Sequence, residues 1–85
     1  MYMSITHTIK VEEKRNEDGS MSYGATVTEH QAKGDFCSFY KSRSLTAAHE
    51  MAHGLAMIIK KNSINGVMIE MQDVAGRPIS QARAA

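Results

Sequence analysis

Leu45-Thr46-Ala47-Ala48-His49-Glu50-Met51-Ala52-His53-Gly54-Leu55-Ala56-Met57-Ile58-Ile59-Lys60-Lys61 carries the strongest structural signal in the chain. Its apolar residues recur at the spacing of an α-helix rather than alternating. At about 100° per residue, Leu45, Ala48, Ala52, Leu55, Ala56 and Ile59 fall into one broad stripe that must face other protein. Ser44 or Thr46 suits the N-cap, and Lys60 and Lys61 sit where the negative end of the helix dipole favours cations. Asn62-Ser63 then ends the helix.

On both sides of this helix the pattern changes to period two. Before it, Ile5, His7, Ile9 and Val11 alternate with Thr6, Thr8, Lys10 and Glu12, which predicts a strand from about Ser4 to Glu13. Asp18-Gly19 marks a turn. Met21, Tyr23, Ala25 and Val27 share one face of a second strand, in which Gly24 points to a bulge or a close backbone approach. A turn over His30 to Asp35, placed by Gly34, leads to a third strand from Phe36 to about Ser42. There Phe36, Ser38 and Tyr40 lie opposite Cys37, Phe39 and Lys41. After the helix, Asn65-Gly66 turns the chain into a fourth strand from Val67 to Val74, and Gly76 and Pro78 break it before a short fifth strand near Ile79. The expected architecture is α+β, with element order β-β-β-α-β: an antiparallel sheet with one helix packed on one face. Residues 1–80 form a single domain, and 81–85 read as a disordered tail.

Composition narrows the function classes. Ten Lys and Arg against nine Asp and Glu, scattered along 85 residues, leave a net charge of +1 and no clustered basic footprint for nucleic acid. The longest apolar run, Gly54 to Ile59, is too short to span a bilayer, and no signal-peptide pattern opens the chain. Cys37 is the only cysteine, so an intramolecular disulfide is excluded and a reducing, cytoplasmic setting is expected. Cys37, beside Phe36, reads as a small core residue rather than a nucleophile.

His49-Glu50-Met51-Ala52-His53 spells HExxH. On a helix this places two imidazoles on one face and a carboxylate beside them, and the string looks like the zincin metallopeptidase signature. In that reading His49 and His53 would ligate zinc and Glu50 would be the general base. The surrounding residues argue against it. The helical wheel puts His49 at the flank of the apolar stripe, His53 further round and Glu50 nearly on the far side. Where the extended form of the signature has Gly and His, this chain has Ala56 and Ile59. Glu70 lies on the next strand, and His7, His30 and Cys37 would serve only if the fold gathered them. Lys60, about two turns past His53 on the same side, would repel a dication. No second lobe is available to roof a substrate. The expectation is therefore no catalytic residue, no metal and no cofactor, with a minimal zinc hydrolase using His49, His53 and Glu50 as the alternative.

Met51 and Ile58 form a second apolar strip beside the stripe, and Met57 lies almost opposite it. Met21, Met68 and Met71 fall in or beside strands. Thioethers on a small domain's surface suit protein contacts, and a sheet face left uncovered suits a flat protein contact or a homodimer.

The Ile9-Lys10-Val11-Glu12-Glu13 strand, the Asp18-Gly19 hairpin, the Tyr23-to-Val27 strand, the Ala/Met-rich helix entered through Ser44 and the strand after Asn65-Gly66 together resemble the small phage-encoded inhibitors of bacterial defence, in particular the short anti-CRISPR proteins. The likeness covers roughly residues 5–75, in length and element order. It implies a non-catalytic protein that docks on a host protein complex such as a type I CRISPR-Cas effector. The same stretch is similar to the HicB-type antitoxins, without the C-terminal DNA-binding segment that many of those carry.

Overall fold

The computed structural model describes residues 4–64 and 66–79. It contains β1 (His7–Arg15), β2 (Met21–Gln31), β3 (Gly34–Ser42), α1 (Leu45–Asn62) and β4 (Ile69–Gln72). The order and the α+β class are those the periodicity predicts. The proposed tail, 81–85, and Asn65 of the Asn65-Gly66 turn lie outside the described residues.

The strands lie side by side in the order β3-β2-β1-β4. β1 pairs antiparallel with β2, and β2 antiparallel with β3, but β4 runs parallel to β1. The sheet is thus mixed, though mostly antiparallel. The physical reason lies in the connection. A helix between β3 and β4 returns the chain across the sheet to its starting end, so β4 points the same way as β3 and β1.

Two of the reversals share one device. Asn16 donates its amide to the Ser20 carbonyl (2.8 Å), and the Gly19 amide returns to the Asn16 carbonyl (3.0 Å). Gly19 sits at φ 88°, while no residue other than glycine has a positive φ among those described. This is a three-residue loop closed by a glycine bulge, not a two-residue primed turn. Asp73 repeats the arrangement with Arg77 and Gly76, each bond 2.9 Å, and its carboxylate also accepts the Ala75 and Arg77 amides. The chain then doubles back along β4. The expected fifth strand is reduced to a single bridge between Gln72 and Pro78, with the Ile79 amide on the Met71 carbonyl at 2.8 Å.

Between β2 and β3 the turn is tighter than the sequence suggested. Gln31 pairs directly with Gly34, so His30 and Asp35 belong to the strands and Ala32-Lys33 alone make the reversal. The helix is capped by Ser44, whose hydroxyl accepts the Ala47 amide at 3.1 Å.

The core forms where the alanine stripe meets the sheet. Ala48, Ala52 and Ala56 are buried against Ile9, Val11, Ala25, Ile69 and Met71, with Tyr23, Val27, Leu45, Leu55 and Ile59 around them. Three methyl-sized side chains bring the helix axis close to the sheet. Burial of Ile9, Val11 and Met71 then contributes about 1.5–3 kcal/mol each. Cys37 is not part of this core. It is exposed, on the side of β3 that faces away from the helix.

Candidate functional site

The helical histidines were the sequence's sharpest candidates. His49 and His53 stand half-buried on one flank of α1, and Glu50 is exposed. What the fold brings near them follows from strand alternation. Glu70 sits between Ile69 and Met71, which are buried under the helix, so its side chain falls on the opposite face of the sheet, where it is hydrogen-bonded by Gln72. His30 lies on that far face as well. Its Nε2 is 2.8 Å from the Thr8 hydroxyl and its Nδ1 3.1 Å from the Asp35 carboxylate. Cys37 is there too, 3.4 Å from the Thr28 hydroxyl.

The sheet itself therefore separates Glu70, His30 and Cys37 from the helical pair. His7 is on the helix side, but its Nδ1 is 2.9 Å from the Thr6 hydroxyl and the residue lines a groove on the opposite flank of α1 from His53. Among the described residues, no three His, Cys, Asp or Glu side chains gather into a metal-binding group.

The feature that periodicity alone did not reveal is that groove. α1 lies over β1 and β2 and leaves the helix-facing side of β3 partly uncovered. Val27, Phe36 and Tyr40 from the sheet, with Glu29 at the side, meet Leu55, Ile58 and Ile59 from the helix around a cavity of about 290 Å³. Phe36 is 63% exposed, Ile58 57% and Tyr40 43%. These large, partly apolar side chains are gathered on one flank around the same cavity. Ile58 belongs to the second apolar strip of the helix, so half of the signal was present in the sequence. The other half, β3 being an edge strand, depends on sheet order.

The two edges of the sheet differ. Along β4 the returning segment supplies Pro78 and Ile79 as partners. Among the described residues, the nine of β3 run with a strand neighbour on one side only. The face of the sheet away from the helix is polar: Thr26 bonds the Glu12 carboxylate, and a shallow hollow of about 550 Å³ is lined by Glu12, Lys14, Asn16, Ser22, Phe39 and Lys41. Charges of both signs line it, so it favours no single ligand charge. No helix among the described residues is long and apolar enough to cross a membrane.

No protein-family model, curated protein or solved structure matches this chain.

Proposed function

We propose that this protein is a non-catalytic binding module that acts by docking stoichiometrically on another protein, through the flank formed by β3 and the outer strip of α1. The observation that supports this reading is the gathering of Phe36, Tyr40 and Ile58 around an open apolar groove beside an unpaired strand edge. Aromatic anchors beside a pocket carry binding energy disproportionate to their number. An open strand edge adds backbone donors and acceptors for a partner. The likeness in length and element order to phage-encoded inhibitors of host defence points to the target class: a host multisubunit complex, such as a type I CRISPR effector, whose site or movement the docked protein blocks.

The experiment is affinity capture from bacterial host lysate with the wild-type chain and with Phe36→Ser and Ile58→Ser. The expected result is one multisubunit assembly, held by the wild type and lost with both variants. Capture of a small toxin instead would favour the antitoxin reading. Capture unaffected by both substitutions would remove the flank from the mechanism.

A further inference from the structure

We infer that the open edge of β3 pairs with β3 of a second copy of this chain, in one register, so that the two sheets continue into each other and the two apolar flanks close on one another. The inference rests on the reading of this flank as a protein-binding surface. Because the dimer encloses Phe36, Tyr40 and Ile58, the second copy occupies the flank at rest and must part from it before the same residues dock on a target.

The direction of the free backbone groups comes first. The His30 amide donates to the Thr6 carbonyl (2.9 Å), so His30 turns its main-chain groups toward β1 and away from β3. Its partner Asp35 must then turn its own groups outward, because opposed residues of an antiparallel pair alternate between bonded and non-bonded sites. Continuing the alternation, Asp35, Cys37, Phe39 and Lys41 present N–H and C=O groups at the edge that have no strand partner among the described residues. A second β3 can bond to these only through its own outward residues, which restricts antiparallel registers to steps of two residues.

One such register places Ser38 on the twofold axis. Phe36 then faces Tyr40 of the other copy, Cys37 faces Phe39 and Asp35 faces Lys41, each pair occurring twice. All nine residues of β3 overlap. Opposite charges meet at both ends of the seam, and aromatic pairs meet at the closely spaced non-bonded sites beside the axis. Moving one step in one direction sets Phe36 against Ser38 and Asp35 against Phe39. Moving one step in the other sets Phe36 against Ser42 and Cys37 against Lys41, and carries Asp35 past the end of the strand. Only the centred register matches both charge and aromatic side chains within β3.

Geometry on the two faces agrees. A twofold axis perpendicular to the sheet keeps both helices on the same side, with Ile58 of each turned toward the seam. Phe36, Tyr40 and Ile58 of both copies are thereby enclosed together, which removes these exposed side chains from water. The capped β4 edge leaves β3 as the place where such pairing can occur. A long, flat edge with aromatic residues and no proline is otherwise an aggregation hazard that folded proteins cover.

The test is sedimentation of the purified chain across a concentration series, with register-specific variants. The expected species has twice the 9.4 kDa chain mass. Asp35→Lys or Lys41→Asp alone should weaken association about tenfold, through two like-charge contacts per dimer, and the double exchange should restore it. Ser38→Cys in a Cys37→Ser background should form an intermolecular disulfide on oxidation, since residues across a non-bonded pair stand about 4.5 Å apart at Cα. The wild-type Cys37 thiols, offset by a diagonal of about 7–8 Å, should not.

A monomer at every concentration would overturn the inference, as would a dimer indifferent to both charge reversals or one readily cross-linked through Cys37. If a monomeric protein still captures its target through Phe36 and Ile58, the docking function stands without the dimer. If a dimer forms as described and captures nothing, the dimer stands and the docking function fails.

Discussion

The ring of Phe39 lies directly over the α-carbon of Gly24, on the face of the sheet away from the helix. A methyl group built on Gly24 would come within 2.5 Å of the Phe39 Cζ and would also strike the Tyr40 carbonyl oxygen. Glycine in the middle of β2 is thus there for close approach: the aromatic ring covers the backbone that the missing side chain leaves bare. Gly24→Ala should destabilise the fold by about 1–3 kcal/mol, because a ring can rotate aside but a strand carbonyl cannot move without disturbing its ladder. Urea denaturation measures this. Adding Phe39→Ala should recover part of the loss, so the pair should be less than additive.

The helix–sheet contact and the groove beside it should respond in opposite ways. Ala52 is fully buried where α1 meets the sheet. Ala52→Leu should lift the helix and cost about 1–3 kcal/mol, read as a lower urea midpoint. Ile58→Ser removes a side chain that the isolated domain leaves mostly in water, so its effect on the stability of the monomer should stay within about 0.5 kcal/mol. Its effect should appear in association and capture instead. Equal destabilisation by the two substitutions would mean that Ile58 belongs to the core.

A pH dependence follows from the first hairpin. The Asp18 carboxylate accepts both the hydroxyl (2.6 Å) and the amide (2.9 Å) of Ser20, and the hydroxyl contact is the main reason its pKa is held below the ordinary 3.8. A carboxyl with a depressed folded value contributes stability above its unfolded value and loses it as pH falls through the folded one. The hairpin should therefore weaken only in acid below that ordinary value. The group is fully exposed, so the effect should be a small downward shift in the melting temperature. Ser20→Ala should flatten the acid limb relative to wild type, and an unchanged limb would remove Asp18 from the hairpin's stability.

Much of this architecture was legible in the chain because periodicity reports burial. The stripe through Ala48, Ala52 and Ala56 and the alternation through Ile9 and Val11 mark the surfaces that meet. Alternation does not report direction or neighbours, however, so nothing in Val67 to Val74 distinguishes a strand parallel to β1 from one antiparallel to it. Cys37 was misplaced for a related reason. Its hydrophobicity suggested the core, while its phase, shared with Lys41 and opposite to Phe36, assigned it to the polar face, and in the folded chain phase prevailed. The groove required both pieces at once: Ile58 from the helix and an edge position for β3 that only the sheet order supplies. The shortened β2–β3 turn has a local cause, since Gln31 and Gly34 pair directly and draw His30 and Asp35 into the ladder.

The HExxH string gives the clearest contrast between sequence and fold. Spacing alone sets His49 and His53 one turn apart on α1, as zinc ligation would need. A catalytic zinc needs a third protein donor, and the candidates Glu70, His30 and Cys37 project from the other face of the sheet. For Glu70, reaching the helix would require β4 to invert, burying its carboxylate and exposing Ile69 and Met71. Two imidazoles without a third ligand hold a divalent ion weakly, and Lys60, about two turns further on along the same side, adds a like charge. The docking reading therefore expects metal-stripped protein titrated with zinc to retain less than one tight equivalent after desalting. It also expects His49→Ala to leave both melting temperature and target capture unchanged, and Glu50→Gln to capture as the wild type does. One tightly retained equivalent that disappears with His49→Ala, together with loss of function in Glu50→Gln at unaltered binding, would transfer the assignment to a zinc hydrolase.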